Sequence, residues 1–167
     1  MLFRSLLVAV LGNRNSGKST TWNRLFDRPV KTGGKERPLY FNLAQYSDVF
    51  LISGSPEERE KHVQEILGEL RPRIVLSSTQ YREDVRETFD FFIKEGYEVF
   101  VQWLNPGYSD PGFYDDNLSL QKYLLSKGAT LQIRNGRVDP LDRVRELRQF
   151  ILGWADHRDL VKTEFPD

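Results

Sequence analysis

A strand-like apolar run that leads directly into a glycine-rich turn constrains this chain more than any other feature. Residues 6–26 read LLVAVLGNRNSGKSTTWNRLF, where the apolar run enters Gly12 and the turn ends in Gly17, Lys18 and Ser19. The turn matches G-x-x-x-x-G-K-[ST], a pattern that wraps backbone amides around phosphate groups when it joins a strand to a helix. Glycine at both ends permits backbone angles and close approaches that a side chain would prevent. The spacing therefore predicts a phosphate-binding loop at residues 12–19, here named the glycine loop.

The residues of the glycine loop have distinct expected contacts with a nucleotide. The main-chain amides would surround the β-phosphate, and Lys18 would place its positive charge against the β- and γ-phosphates. The hydroxyl of Ser19 is an expected Mg²⁺ ligand, and Thr20 at the helix start would reach the α-phosphate. The nucleotide would be ATP or GTP with Mg²⁺. The full set of expected nucleotide-binding residues here is Gly12, Asn13, Arg14, Asn15, Ser16, Gly17, Lys18, Ser19 and Thr20.

Strand-like and helix-like segments alternate along the rest of the chain. Apolar runs predict strands at 5–11, 39–43, 48–53, 73–78, 97–104 and 129–134. Helical periodicity and end signals predict helices at 18–27, from Ser55 until Pro72, at 82–95, at 118–127 and from Asp139 onward. This alternation predicts an α/β domain with a five-stranded, mainly parallel sheet and the glycine-loop strand at its centre. We expect a single domain over residues 1–167, with a polar tail that frays from about residue 157.

Composition narrows the function classes. Lys+Arg and Asp+Glu are both 24, so the formal net charge is zero, which argues against broad binding to nucleic acid or to anionic membranes. The sequence has no cysteine and only two histidines, which excludes thiolate chemistry and disfavours a histidine-rich metal site. No apolar run approaches the roughly 20 residues of a membrane span. We therefore expect a soluble, cytoplasmic protein.

The glycine loop within this α/β pattern resembles the P-loop NTPase superfamily, which implies that superfamily's three-layer fold and a nucleoside triphosphate ligand. The wording GNRNSGKSTTWNRLF is similar to the phosphate loop of translation-factor-type GTPases. Such GTPases also carry D-x-x-G after a later strand and [NT]-K-x-D for guanine, and this sequence has neither. The strand that ends at Ser53 continues into Gly54, with no aspartate at the metal position.

A second resemblance is to small P-loop kinases, whose middle section is similar to RIVLSSTQYREDVRETFDFFIKEGYEVFVQWLNP at residues 73–106. It implies that Arg82 and Arg86 bind the phosphate of an acceptor and act with Lys18 in catalysis. Their spacing of four places both on one face of a predicted helix, where they would form a two-guanidinium clamp. The alternative is a solvated helix face on which each arginine pairs with a neighbouring acidic residue.

The segment 105–122, the natural lid in such kinases, contains no arginine. Positive charge at the transferred phosphate would then come from Arg14, Lys31, or Arg134 and Arg137. Arg134 and Arg137 follow the last strand, where they would hold the base, unless they belong to a plain charged turn. Polar residues at other strand ends are weaker candidates for contacts with phosphate or water: Ser53, Gly54, Ser77, Ser78, Thr79, Gln80 and Asn105.

The sequence leaves the reaction open among three classes. The first is kinase-type phosphoryl transfer to a small-molecule or nucleotide acceptor. The second is an ATP- or GTP-hydrolysing switch, and the third is a nucleotide-binding module with little catalysis. No catalytic base is identifiable, because Asp48 begins its strand and so lies at the opposite edge of the sheet.

Overall fold

The first strand lies at the centre of the sheet because its side chains are apolar on both faces. In the computed structural model, which describes residues 3–110 and 115–164, β1 spans Ser5–Gly12. It pairs in parallel with β4 (Ile74–Gln80) on one side and β5 (Tyr97–Leu104) on the other. Every side chain from Leu6 to Leu11 is fully buried. The predicted central position of the glycine-loop strand is confirmed.

The sheet is larger than the five strands expected from sequence. In the described ranges it has seven strands, in the order β2-β3-β4-β1-β5-β6, with β7 paired to β3. The parallel part contains five of them, since β3 (Gln45–Ile52) pairs with β4 and β6 (Thr130–Arg134) pairs with β5. The extra strands, β2 (Arg37–Tyr40) and β7 (Lys162–Thr163), run antiparallel to β3. Strand β2 overlaps the strand predicted at 39–43, whereas β7 is too short and too polar to give a strand signal.

Strand β7 comes from the tail that the sequence predicts to fray. Polar contacts hold it on β3 instead, because Ser47 Oγ donates to the carbonyl of Leu160 at 2.8 Å and Lys162 Nζ lies 2.6 Å from Asp48 Oδ2. The chain is therefore docked on the sheet edge as far as the described residues extend, to residue 164.

Helices cover both faces of the sheet and give the expected three layers. The described residues form α1 (Lys18–Leu25), α2 (Val63–Leu67), α3 (Val85–Lys94), α4 (Leu120–Ser126) and α5 (Leu141–Asp156). One core lies between the sheet and α1 and α5, and the other between the sheet and α2, α3 and α4. The three tryptophans, Trp22, Trp103 and Trp154, are buried in these cores. Within the described ranges, no helix combines the length and hydrophobicity needed to cross a lipid bilayer.

The helix predicted to start at Ser55 begins later and is shorter. Residues 55–61 form turns, in which Ser55 Oγ accepts from the Glu58 amide at 3.2 Å, and Glu60 has a left-handed φ of 50°. Helix α2 starts only after His62, whose Nδ1 accepts from the Gln64 amide. Backbone propensity is overridden here because the side chain of Glu57 is buried among other elements.

Candidate functional site

The glycine loop lies between the carboxyl end of β1 and the first turn of α1. Asn15 and Gly17 adopt left-handed φ angles of 59° and 101°, which turn the backbone around the inside of the loop. Across the described part of the chain, the backbone amides of residues 13–20 donate no hydrogen bond to another residue. Converging free amides at a helix N-terminus form an anion-binding site. The loop therefore has the geometry expected of a phosphate cradle.

The side chain of Lys18 folds over this loop and is only 7% exposed. Its Nζ donates to the carbonyls of Gly12 and Asn13 at 3.2 and 2.8 Å, and it lies 3.5 Å from Glu58 Oε1. Burial lowers the pKa of Lys18 from its ordinary value, and the charge of Glu58 opposes that shift. The ammonium group is thus held at the loop with a carboxylate as its partner.

Three glycines from three different loops converge on Ser16. A Cβ at Gly12 would lie 2.2 Å from Ser16 Oγ, one at Gly107 would lie 2.4 Å from Ser16 Cβ, and one at Gly136 would lie 2.5 Å from the Ser16 carbonyl oxygen. Such distances are far below van der Waals contact, so no other residue type fits without movement. The loops after β5 and β6 therefore pack directly on the glycine loop.

The first part of the predicted lid, residues 105–110, is hydrogen-bonded to the glycine loop. The amides of Tyr108 and Ser109 donate to the carbonyls of Ser16 and Asn15 at 3.3 and 3.2 Å. Asp110 accepts from the Asn13 side chain at 3.2 Å and from the Gly107 amide at 2.6 Å. Residues 105–110 thus support the outside of the glycine loop. Part of the predicted lid, residues 111–114, lies outside the described residues.

A cleft of about 710 Å³ opens beside the glycine loop at the carboxyl ends of the parallel strands. Ligands of open α/β sheets bind at this edge, at the strand where the order reverses, which here is β1. The cleft is bordered by the loop after β3 on one side and the loop after β6 on the other. Its lining residues are Arg14, Asn15, Ser16, Gly17, Lys18, Ser19, Thr20, Ser53, Gly54, Ser55, Glu58, Tyr108, Gly136, Arg137, Val138, Asp139, Pro140 and Arg143.

Two carboxylates that the sequence analysis did not identify as site residues follow β3. Glu58, 36% exposed, lines the cleft and pairs with Lys18. Glu57 is 3% exposed and accepts from the Gln80 amide and from Thr88 Oγ1, both at 2.6 Å. Desolvation by burial raises the pKa of Glu57 to about 7. Glu57 fastens the turn to β4 and α3, and this attachment presents Glu58 to Lys18.

The available sequence signal for these acids was their place shortly after the carboxyl end of a parallel strand. Glu57 and Glu58 also fit the acidic first turn of the helix that the sequence predicts from Ser55. The tertiary contacts of Glu57 with Gln80 and Thr88 show that the pair belongs to a turn at the cleft and not to the first turn of a helix.

The two arginines after β6 have different surroundings. Arg137 lines the cleft and its Nε donates to the Gly107 carbonyl at 3.1 Å. Arg134 lies outside the cleft lining and pairs with Glu146 through Nε and Nη2, each at 2.8 Å. The structure therefore brings Arg137 to the cleft and Arg134 to the surface of α5. Arg143, which belongs to no sequence motif, also lines the cleft.

The two arginines of the predicted acceptor clamp do not share a helix face. Helix α3 begins at Val85 instead of residue 82, so Arg82 precedes it. Arg82 donates to the Glu57 carbonyl at 3.0 Å and its Nε lies 3.4 Å from Asp84. Arg86 donates to the Leu118 carbonyl at 2.6 Å and stacks over the ring of Tyr123. Arg82 does line a separate pocket with Tyr81, Glu83, Asp84, Asn117 and Leu118.

Most polar residues at the other strand ends are used inside the protein. Ser77, Ser78 and Thr79 are fully buried, and Ser78 Oγ accepts from the indole of Trp22 at 2.8 Å. Gln80 and Asn105 lie outside the cleft lining, as does Lys31. Ser53 and Gly54 do line the cleft, where the Ser53 amide donates to Thr32 Oγ1 at 2.8 Å.

The residues of the cleft fit a magnesium ion held jointly by protein and phosphate. In the described residues there is no group of three or more His, Cys, Asp and Glu side chains that would hold a metal alone. Ser19 and Glu58 nevertheless offer oxygen ligands in the same cleft. Mg²⁺ in nucleotide sites takes one or two protein oxygens together with phosphate oxygens and waters. The donor set is sufficient for that role.

Comparison with known proteins identifies no family. No family model matches the sequence, and no curated protein matches it. Two solved NMR structures of de novo designed proteins described as having the P-loop NTPase fold are similar to it. One is 14% identical with a TM-score of 0.49, and the other is 16% identical with a TM-score of 0.48. Each comparison covers 91% of this chain and 96% of the designed chain.

Proposed function

We propose that the cleft binds the polyphosphate of a nucleoside triphosphate, ATP or GTP, together with Mg²⁺. The observation that carries this proposal is that the amides of residues 13–20 donate no hydrogen bond to any described residue, and that residues 14–20 line the same cleft as Lys18 itself. Backbone amides and one ammonium group form the combination that cradles β- and γ-phosphates. We also propose a cytoplasmic location, where such a nucleotide would be available to the cleft.

The proposal assigns the contacts as follows. The glycine-loop amides hold the β-phosphate, Lys18 the β- and γ-phosphates, and Thr20 the α-phosphate. Ser19 would be the magnesium ligand, and the ion would neutralise charge that develops on the phosphoryl oxygens. We assign the sugar and base to the side of the cleft that Arg137 and the rest of the loop 136–140 line.

For the reaction, we propose kinase-type transfer of the γ-phosphoryl group to a hydroxyl of a small molecule or nucleotide. The bond from the β-phosphate bridging oxygen to the γ-phosphorus breaks as the acceptor oxygen bonds to that phosphorus, and the acceptor proton needs a base. Glu58 supplies a carboxylate beside Lys18 for this role. The pocket containing Arg82 is the candidate acceptor site.

Hydrolysis is the second candidate reaction, and one observation favours it. Arg82 and Arg86 both donate to main-chain carbonyls, so each guanidinium has a structural contact in addition to any contact with a phosphoryl acceptor. In that case water would replace the acceptor hydroxyl, and Glu58 would accept its proton.

The Lys18→Ala variant tests the binding proposal. Because the ammonium group contacts the phosphates, we expect the variant to lose most of the thermal stabilisation that MgATP or MgGTP confers on the wild-type protein. Differential scanning fluorimetry with both nucleotides measures this. Equal stabilisation of wild type and variant would contradict the proposal.

A γ-phosphate label separates the reactions. The protein is incubated with γ-labelled ATP or GTP and a panel of nucleosides, nucleotides and DNA ends. Labelled acceptor supports the kinase, free phosphate alone supports hydrolysis, and binding without either product supports a module with little catalysis.

A further inference from the structure

Arg143 lies in the first turn of α5, 4% exposed, and lines the cleft beside the glycine loop. Its Nη1 donates to the Val138 carbonyl at 3.2 Å, and its Nη2 lies 3.4 Å from Thr21 Oγ1. The same Nη2 lies 3.4 Å from the position that a Cβ would take at Gly17. The guanidinium group therefore contacts the end of the glycine loop where α1 begins.

Among the residues that the structure describes, the charge of Arg143 has no carboxylate partner. Its bonded neighbours are a carbonyl and a hydroxyl, its Nε is buried without a partner, and no described residue forms an ion pair with it. Asp139 acts on it only through longer-range attraction, and burial lowers the pKa of the Arg143 guanidinium from its ordinary value. By contrast, Lys18 pairs with Glu58 and Arg134 pairs with Glu146.

An unpaired buried cation is costly, and the surroundings of Arg143 make it more so. The N-terminus of α1, next to Gly17, carries the positive end of a helix dipole. A buried charge is normally retained only where a partner compensates it. The described residues supply no such partner, whereas an anion in the cleft would.

We propose that Arg143 is an additional polyphosphate-binding residue of this cleft, whose charge is compensated by phosphate oxygens of the bound ligand. The inference rests on the proposed function and adds a residue outside the glycine-loop pattern. It also identifies a source of the positive charge that the arginine-free segment 105–122 does not provide.

The experiment compares Arg143→Met and Arg143→Lys with Arg145→Met, which removes an exposed arginine from the same helix. Affinities for MgATP, MgGTP and inorganic pyrophosphate are measured by calorimetry, and melting temperatures without ligand by scanning fluorimetry. Loss of a charge-assisted hydrogen bond predicts about tenfold to a hundredfold weaker binding for Arg143→Met. Arg143→Lys should lie between wild type and Arg143→Met, and Arg145→Met should bind as the wild type does.

Stability without ligand provides the second readout. Because its charge is uncompensated, replacing Arg143 with methionine should leave the melting temperature unchanged or raise it. A lowered melting temperature with unchanged affinity would assign Arg143 a purely structural role and overturn the inference. Should Arg143→Met fail to fold, Arg143→Lys decides, since wild-type affinity in that variant despite its shorter reach would equally count against the inference.

The same data separate this inference from the proposed function. Wild-type binding of nucleotides with no loss in Arg143→Met leaves the function standing and refutes the role of Arg143. If the wild-type protein binds pyrophosphate but no nucleotide, and Arg143→Met binds pyrophosphate more weakly, the proposed nucleotide ligand is refuted and the phosphate-binding role of Arg143 is supported. A wild-type protein that binds none of the three refutes both.

Discussion

Glu57 and Glu58 are neighbours in the chain, yet their carboxyl groups have opposite surroundings. Glu58 faces the cleft, where its Oε1 lies 3.5 Å from Lys18 Nζ. Glu57 is enclosed between the turn after β3, β4 and α3, where it accepts hydrogen bonds from the Gln80 amide and the Thr88 hydroxyl, both neutral donors. Desolvation therefore dominates at Glu57 and raises its pKa to about 7.

The raised pKa of Glu57 makes stability depend on pH. Between the ordinary value of 4.5 and about 7, the folded protein holds a proton at Glu57 that the unfolded chain has released. Stability contributed by that proton is fully present below 4.5 and is lost as the pH rises to 7, a change of about 3 kcal/mol. Glu57→Gln mimics the protonated form, so the variant should exceed the wild type in free energy of unfolding at pH 8 and match it at pH 4.5.

Urea unfolding of both proteins across this pH range measures the difference. Glu65→Gln is the matched control, because Glu65 is exposed on α2 and should change stability little at any pH. If Glu57→Gln is less stable than the wild type throughout, the two donors hold an ionised carboxylate and the expectation is wrong.

At the scale of elements, the glycine loop and the loops after β5 and β6 pack closely around Ser16, because each has a glycine beside it. Gly136 is the most informative position, because a Cβ there would lie 2.5 Å from a backbone oxygen, which cannot rotate away. Gly136→Ala should therefore displace the loop after β6 from the glycine loop and destabilise the protein by about 1–3 kcal/mol, the usual range for overpacking. It should also weaken triphosphate binding, since Arg137 and Arg143 follow this loop.

Gly153→Ala is the control for that substitution. Gly153 lies inside α5 with nothing within 4 Å of an added Cβ, so alanine should stabilise the helix by about 0.5–1 kcal/mol. Thermal unfolding of the two variants should thus shift in opposite directions. A Gly136→Ala protein that melts like the wild type would show that the loops are not in close contact.

The elements that the sequence predicted well are those whose signal is local. The apolar run of β1 and the glycine loop each carry their pattern within a few residues, and the five parallel strands follow from apolar runs. The short strand β7 carries no such pattern, since a polar Lys-Thr pair becomes a strand only through contacts with β3. Likewise, Arg82 was predicted to lie in the first turn of a helix that starts at residue 82, but α3 starts one turn later, at Val85. Helix boundaries are the least certain part of a prediction from periodicity.

The candidate site divides in the same way. The position and turn geometry of the glycine loop were predictable, because the loop pattern has fixed spacing and lies between a strand and a helix. Glu58 and Arg143 were not, because each reaches the cleft from a distant segment and neither belongs to a spaced pattern. Arg134 and Arg137 were both predicted to hold the base, since both follow the last strand. In the structure Arg134 pairs with Glu146 on α5, and of the two only Arg137 lines the cleft.

For the molecule as a whole, charge is balanced in number but not in position. The formal net charge is zero, yet the cleft collects four cationic side chains, Arg14, Lys18, Arg137 and Arg143, against the acids Glu58 and Asp139. A local excess of positive charge attracts a compact polyanion without making the surface as a whole bind nucleic acid. The charge distribution is thus consistent with a phosphate ligand in one cleft.

Because the three loops share hydrogen bonds, ligand binding at the glycine loop should protect all of them from hydrogen exchange. The amides of Tyr108, Ser109 and Gly136 donate to Ser16, Asn15 and Pro106, so they exchange only when the loops separate. If separation releases the ligand, saturation at one hundred times Kd opposes it by about 2.7 kcal/mol and slows exchange about a hundredfold. Mass-spectrometric exchange with and without MgATP or MgGTP measures this.

The Phe41 amide, bonded to Gln45 in the β2–β3 turn, is the internal control and should exchange at the same rate in both samples. Protection confined to residues 13–20 would show that the loops after β5 and β6 move independently of the ligand.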